Sequence, residues 1–229
     1  MKRLFLLAML MVMGMGVFAQ TAETKNEWRI RLRGVAVIPQ ESAEIGVIGG
    51  DVAISNSFIP ELDFTYFLNR HFAAELILGT TRHKVSTTSS NLTAIGAGAS
   101  ADVDLGKVWL LPPTLTLQYH YPVGKFNPYL GAGINYTIFY SANEGPTVKS
   151  VDYKDKFAFA AQAGLDIDIS QRFFLNIDVK KIFLSTTTTV DASNLTPAAN
   201  PGLATTLSNI SADVKIKPWL VGIGVGCKF

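Results

Sequence analysis

Apolar and polar residues alternate along most of this chain, and the alternation has a period of two. In the stretch WRIRLRGVAVI, residues 28–38, three arginines occupy every second position and hydrophobic residues stand between them. On a helix these arginines would spread around the axis, whereas on a strand they share one face. The same test along the chain predicts strands at residues 28–38, 58–68, 72–80, 107–121, 128–140, 156–169, 173–184 and 211–229. No segment has a convincing helical period.

The connections between these eight strands alternate in length. Short connections lie at 69–70, 122–127 and 170–171. The long ones are rich in Gly, Ser, Thr, Asn and Ala, which predicts mobile polar loops; they lie at 39–57, 85–106, 141–155 and 185–210. In the last strand the apolar phase changes near Pro218, which predicts a bulge or bend.

Strand length and loop asymmetry favour a barrel in a membrane. The predicted strands exceed the usual ~5–6 residues of globular sheets and are long enough to cross a bilayer when tilted. An even strand number, with short turns at one end and long loops at the other, is typical of outer-membrane barrels. The sequence therefore predicts an all-β fold, an eight-stranded antiparallel transmembrane β-barrel with short periplasmic turns and long extracellular loops. The alternative is a soluble sandwich or ligand-binding barrel with its apolar face inside.

Aromatic residues collect near the strand ends, as expected for girdles at the two membrane surfaces. The predicted turn-end girdle contains Trp28, Tyr119, Tyr121, Tyr129, Phe173, Trp219 and Phe229. The predicted loop-end girdle contains Phe58, Trp109, Tyr140 and Phe183.

The N-terminus has the form of a secretory signal peptide. Lys2 and Arg3 precede an apolar run that ends in Val17-Phe18-Ala19. The run is shorter than the ~20 residues of a membrane-spanning helix, and small residues at its end favour cleavage after Ala19. We expect residues 1–19 to be removed and residues 20–229 to form the barrel.

Composition argues against several kinds of partner and site. The chain is 48% hydrophobic and 17% charged, with a net charge of +2 and no basic run, so no nucleic-acid partner is expected. Its single cysteine, Cys227, cannot form an internal disulfide, and the spacing of the three histidines matches no zinc site. We expect no metal and no cofactor, and Cys227 is interpreted as a small apolar filler.

Several stretches resemble the outer-membrane protein W (OmpW) family of Gram-negative bacteria. They are PELDFTYFLNRHFAAELILGTT, LPPTLTLQYHY, NPYLGAGINYT, FFLNIDVKKIFL and VKIKPWLVGIGVGCKF. The resemblance implies an eight-stranded outer-membrane barrel that passes small, largely hydrophobic molecules. The family commonly ends in an aromatic-x-Phe pattern, in which Cys227 here replaces the aromatic. Phe229 resembles the signal read by the barrel-assembly machinery.

Threading the strands up and down sorts the inward residues into two groups. A charged floor is predicted on the turn side, from Arg29, Arg31, Arg33, Asp63, Glu75, His120, Asp166 and Asp168. An apolar mouth is predicted on the loop side, from Val35, Val37, Ile59, Ile77, Val108, Leu110, Phe139, Ile182 and Leu184. Eight strands leave a bore that side chains nearly fill, so the floor is either a salt-bridged plug or a gated path. The mouth is either packed core or a site for a small hydrophobic solute.

The predicted function is a narrow channel for small hydrophobic molecules. A solute stopped by the floor would leave sideways through the wall into the bilayer, where Pro60, Pro112 and Pro113 weaken strand pairing. The alternative is a structural or adhesive surface barrel that acts through its long loops. No enzyme is expected, because no nucleophile motif such as G-x-S-x-G is present. The expected partners are outer-membrane lipid, the barrel-assembly machinery and small hydrophobic solutes, and a monomer is favoured.

Overall fold

Most of the residues that the structure describes after residue 26 are in β-strands. The computed structural model describes residues 27–46, 48–93, 101–145, 147–196 and 200–229. The predicted signal peptide, residues 1–19, lies outside the described residues. The first seven strands are β1 (Glu27–Ile38), β2 (Glu41–Ile45), β3 (Asp51–Ile54), β4 (Ser57–Phe67), β5 (Phe72–Gly79), β6 (Thr81–Ser90) and β7 (Ala101–Leu111). The next seven are β8 (Thr114–His120), β9 (Phe126–Glu144), β10 (Ser150–Tyr153), β11 (Lys156–Asp168), β12 (Phe173–Asp191), β13 (Ile210–Ile216) and β14 (Trp219–Lys228).

Eight of these strands close into a barrel. Their order around the wall is β14, β1, β4, β5, β8, β9, β11, β12 and again β14, and every neighbouring pair is antiparallel. The first and last strands form the seam, from Arg29 opposite Lys228 to Ile38 opposite Trp219. The predicted eight-stranded antiparallel barrel is confirmed. Closure gives each of the eight strands a paired neighbour on both sides, which suits a wall in the hydrocarbon layer, where lipid cannot satisfy a free strand edge.

The glycines of the closing strand face a crowded lumen. A side chain at Gly226 would overlap the ring of Phe174 on β12, and one at Gly224 would overlap Arg33 on β1. At Gly222 the nearest atom to an added Cβ would be Val35 Cγ2, at 3.1 Å. The seam therefore has glycine on β14 because its neighbours fill the interior.

The long connections are not polar loops, and that prediction was wrong. Much of 39–57, 85–106, 141–155 and 185–210 consists of strands that extend the wall beyond the barrel. β12 continues as TTTTVD to Asp191 and pairs with β13, from Leu184 opposite Ile216 to Val190 opposite Ile210. Threonine is β-branched and suits a strand, so a Thr-rich composition does not by itself indicate a loop. A short helix, α1 (Leu203–Leu207), and a 3-10 turn (Ser193–Leu195), neither of them predicted, lie between β12 and β13.

The predicted bulge near Pro218 is also wrong. β12 keeps one register across the break, with Leu184 opposite Ile216 and Lys181 opposite Trp219. The strand is only interrupted at residues 217–218. The apolar phase changes there because the surroundings change: Val214 is buried inside the extension, whereas Val221 is exposed on the lipid side.

No helix within the described ranges is long and apolar enough to cross a membrane.

Two aromatic residues differ from the predicted girdles. Tyr129 is only 3% exposed and points into the barrel, because odd-numbered positions at the start of β9 face inward. Trp219 lies opposite Ile38 and Lys181, at the loop end rather than the turn end. It begins β14 on the loop side, since the residues before it belong to the extension.

Candidate functional site

Arg33 is the centre of the charged floor. It projects inward from β1 and is fully buried. Its Nη2 atom lies 2.8 Å from Asp63 Oδ2, 2.9 Å from Glu61 Oε1 and 3.2 Å from Glu75 Oε1. Its Nη1 atom lies 3.5 Å from Asp178 Oδ2. One guanidinium thus faces carboxylates from four other positions on the wall.

The neighbouring cations complete this network. Arg31 Nε lies 2.9 Å from Asp63 Oδ1, and Arg29 Nη1 lies 2.8 Å from Asp166 Oδ2. Lys180 Nζ lies 3.0 Å from Glu61 Oε1. Four buried cations meet five buried carboxylates, namely Arg29, Arg31, Arg33 and Lys180 with Glu61, Asp63, Glu75, Asp166 and Asp178. A buried charge is tolerable only when it is paired in this way.

Neutral side chains fix the carboxylates in place. Gln118 Nε2 donates to Glu75 Oε2 at 2.7 Å, and Thr116 Oγ1 donates to the same oxygen at 3.0 Å. The Tyr129 hydroxyl donates to Asp178 Oδ2 at 2.8 Å and accepts from Arg31 Nη1 at 3.1 Å. The network therefore joins strands on opposite sides of the barrel.

An aromatic layer lies at the turn-side end of this network. The Arg29 guanidinium carbon is 4.1 Å from the centre of the Phe67 ring and 5.4 Å from that of Phe174. The His120 ring lies 4.7 Å from Phe67 and 4.9 Å from Tyr129, between ring centres. Charged pairs and rings together fill the bore, so this end offers no wide aqueous path.

The structure brings together seven of the eight residues predicted for the charged floor. Arg29, Arg31, Arg33, Asp63, Glu75, His120 and Asp166 are all buried in one region. Asp168 lies apart, since it pairs with Lys228 at 2.7 Å on the partly exposed turn-side rim. Sequence reasoning missed the inward aromatic residues Phe67, Tyr129 and Phe174. Each lies two residues from an inward polar residue on the same strand, namely Thr65, Asn127 and Asn176. This spacing alone predicts that the three aromatic side chains face inward.

An apolar cavity of about 120 Å³ lies on the loop side of the floor, with room for roughly four water-sized molecules at ~30 Å³ each. Eight of the nine residues predicted for the apolar mouth line it, namely Val37, Ile59, Ile77, Val108, Leu110, Phe139, Ile182 and Leu184. Val35 is buried in the adjoining cluster. Lys180 and Glu61 line the cavity where it meets the floor.

The strand extension lengthens this cavity. Val52, Val103 and Val190, from segments predicted to be loops, line it above the barrel together with Val214, from the predicted last strand. Tyr153, on β10, also lines the cavity and stacks on Phe139 with 5.3 Å between ring centres. Burial raises the pKa of Tyr153, which keeps its hydroxyl neutral. The lining therefore suits an uncharged, apolar molecule.

Strand pairing is interrupted beside the cavity. Glu61 opposite Gly79 is the last pair of the β4–β5 ladder. The next cross-strand hydrogen bond runs from the Ser55 amide to the Lys84 carbonyl, at 3.0 Å. In this fully described stretch, residues 57–60 and 80–83 form no ladder pairs with each other. Four missing pairs correspond to roughly 14 Å of wall at ~3.4 Å per residue.

The predicted prolines lie at this and a second interruption. Pro60 lies opposite Gly34 of β1, in the end of β4 that has no ladder partner on its other side, and a proline has no amide hydrogen to donate. Pro112 and Pro113 separate β7 from β8, between the pairs Thr81–Leu110 and Ile77–Thr114. Thr80 Oγ1 bridges this second break by donating to the Leu110 carbonyl at 3.1 Å. The wider interruption is therefore the one beside Pro60.

Comparison with known proteins gives concordant relatives. The sequence model of the OmpW family matches residues 25–229. The uncharacterized outer-membrane protein y4mB of Sinorhizobium fredii is 44% identical over 206 residues, which cover 89% of this chain and 80% of y4mB. The dibenzothiophene metabolism operon protein PahQ of Pseudomonas aeruginosa is 29% identical over 90% of each chain. The crystal structure of the outer membrane protein OprG from Pseudomonas aeruginosa has a TM-score of 0.75 at 25% identity, covering 90% of this chain and 97% of OprG.

Proposed function

This chain belongs to the OmpW family and is a β-barrel of the bacterial outer membrane, and we propose that it takes small hydrophobic molecules into the loop-side cavity and releases them sideways into the bilayer. The proposal rests on the position of the cavity relative to the floor and the wall. The apolar cavity ends on a filled, charged floor and borders the unpaired stretch of wall beside Pro60.

The floor disfavours passage along the barrel axis. A hydrophobic solute moving that way would have to separate ion pairs such as Arg33–Asp63 and Arg31–Asp63, which are buried on all sides. Leaving a buried charge unpaired costs about 3–5 kcal/mol. Moving from an apolar cavity into lipid tails carries no such penalty, because both surroundings are apolar.

The wall beside Pro60 offers a route of that kind. Ile59, Thr81 and His83 flank the interruption and also line the cavity. His83 Nδ1 lies 2.6 Å from the Ser55 carbonyl oxygen, and its Nε2 lies 3.0 Å from Thr81 Oγ1. Of these two bonds, only the one between His83 and Ser55 crosses from β6 to the neighbouring segment. Residues 57–60 and 80–83 share no ladder pairs, so separating them breaks no backbone pairing.

The name of one relative supports the solute class. PahQ is described as a dibenzothiophene metabolism operon protein, and dibenzothiophene is an uncharged aromatic molecule. A small, uncharged aromatic or aliphatic hydrocarbon of that polarity is the kind of solute that we propose for this cavity.

A charge placed in the cavity tests the proposal. Ile59→Asp and Leu110→Asp each put a carboxylate among apolar lining residues, which should lower uptake of a hydrophobic dye by about tenfold or more. Ser185→Asp adds the same charge to an exposed outward position and is the matched control. Uptake is measured in cells that carry the barrel in an intact outer membrane, after heat-modifiable gel migration has shown folding. A folded Ile59→Asp variant with unchanged uptake would refute the proposal.

A further inference from the structure

Three cations lie together on the outer wall at the loop end. Arg82 and Lys84 are exposed on β6, and Lys107 is half-buried on β7. Lys84 is directly opposite Lys107 in the ladder, and Arg82 is directly opposite Trp109. Like charges placed opposite each other destabilise a ladder, so this basic patch needs a compensating anion.

The protein itself does not supply that anion. Within the described part of the chain, none of the salt bridges involves Arg82, Lys84 or Lys107. The Arg82 guanidinium carbon instead lies 5.4 Å from the centre of the Trp109 ring. Trp109 is in turn 6.3 Å from Tyr140, between ring centres. The rings position the cation and leave its hydrogen-bond donors available.

The basic patch lies at the height of the membrane surface. Outward positions on β5 and β6 run from Phe72 at the turn end to Arg82, ten residues further on. At ~3.4 Å per residue and a tilt of ~40°, this spans roughly 26 Å of membrane, close to the ~25 Å apolar band of such barrels. Leu78 and Leu111 are exposed just below the patch, where lipid tails would meet the wall.

The same arrangement recurs across the barrel. Lys181 Nζ lies 4.7 Å from the centre of the Trp219 ring at the loop end of β12 and β14. There too a cation sits against a tryptophan at the upper edge of the apolar band. The two places differ in their hydrogen bonds, because Lys181 Nζ already donates to Gln40 Oε1 at 2.6 Å and to the Lys217 carbonyl oxygen.

We propose that Arg82, Lys84 and Lys107 form a binding site for the phosphate group of an outer-leaflet lipid, whose acyl chains lie against Leu78 and Leu111. A guanidinium can bind phosphate through two parallel hydrogen bonds, and the ammonium groups add compact positive charge. A lipid rather than a free anion is the ligand, because the apolar wall continues directly from the basic patch.

Native mass spectrometry of the refolded mature chain in detergent tests this site, with diphosphorylated lipid A as the probe. Each cation near a membrane surface contributes about a fivefold gain in binding. The triple variant Arg82→Gln/Lys84→Gln/Lys107→Gln should therefore bind lipid A roughly a hundredfold more weakly than the unmodified chain. The single variant Lys84→Gln should lose about fivefold and serves if the triple variant does not fold.

The matched control removes the same charge from the opposite end. Arg70→Gln/Lys125→Gln/Arg172→Gln alters three exposed turn-side cations and should leave lipid A binding unchanged. Dephosphorylated lipid A should bind the unmodified chain as weakly as diphosphorylated lipid A binds the triple variant. Equal loss in both triple variants, or equal binding of the dephosphorylated lipid, would overturn the proposal. So would competition by millimolar inorganic phosphate that displaces lipid A, because the site would then hold a free anion.

Discussion

Replacing Arg33 by methionine is the sharpest test of the charged floor. Methionine keeps an unbranched apolar chain in the lumen and removes only the guanidinium group. Three carboxylates, Glu61, Asp63 and Glu75, would lose a partner that lies within 3.2 Å of each. The buried network now holds four cations and five carboxylates. In the variant it would hold three cations and the same five carboxylates.

The expected cost follows from that geometry. Removing one partner of a buried pair destabilises a protein by about 3–5 kcal/mol, and Arg33 is a shared partner of several groups. The free energy of unfolding should fall by at least about 3 kcal/mol. In Arg33→Met/Asp63→Asn the second change removes one of the excess negative charges, and it should recover at least about 1 kcal/mol of that loss.

Urea unfolding in detergent micelles, followed by tryptophan fluorescence, measures these free energies. Arg172→Met, at an exposed turn, is the matched control and should change the free energy of unfolding by no more than about 0.5 kcal/mol. If Arg33→Met unfolds at the same urea concentration as Arg172→Met, the floor does not hold the barrel together. If the double variant is no more stable than Arg33→Met, the ion pairs do not act as one network.

Three further predictions concern folding and assembly. Gly226→Leu should prevent the heat-modifiable folded band, because the new side chain overlaps the Phe174 ring; a normal band would contradict the packing at the seam. Tyr129→Phe removes a hydroxyl that joins Arg31 to Asp178 and should lower the free energy of unfolding by about 1–3 kcal/mol in the same urea assay; no change would mean that the hydroxyl is dispensable. Phe229→Ala should reduce assembly in cells, measured as folded barrel in outer-membrane fractions, while refolding in detergent stays normal; equal assembly would refute a role for this aromatic residue.

The barrel was predictable because lipid and lumen impose opposite demands on alternate residues. In β1, Arg31 and Leu32 are neighbours in sequence, yet one is fully buried and the other is 56% exposed. Such contrast survives in the sequence wherever the wall crosses the bilayer. Above the bilayer the demand inverts, because polar residues such as Asp213 face water and apolar ones such as Val214 face inward. A search of the sequence for strands with an apolar outer face therefore does not detect the strand extension, whose outer face is polar.

The lumen was predictable in outline but not in its pairing. The alternation of inward and outward residues places Arg33 and Glu75 in the bore. Their separation of 3.2 Å depends on the relative heights of their strands, which the alternation does not give. The interruption beside Pro60 is likewise a property of register between two strands. A proline marks a weak point, whereas only the structure gives the extent of the unpaired stretch. Tyr129 was misplaced because aromatic residues near strand ends were assigned to girdles without regard to their phase.

A reversible cross-link over the interruption tests lateral release most directly. Cysteines replace Phe58 and Arg82, outward positions in the middle of the unpaired stretch, in a Cys227→Ser background and are joined by a short reducible linker. The control joins Leu62→Cys to Leu78→Cys, which are directly opposite each other in the paired part of the same wall. The measurement is uptake of a hydrophobic dye by cells before and after reduction of the linker. We predict that the cross-link at 58 and 82 blocks uptake until it is reduced, whereas the one at 62 and 78 has no effect. Undiminished uptake with the first linker intact would contradict lateral release.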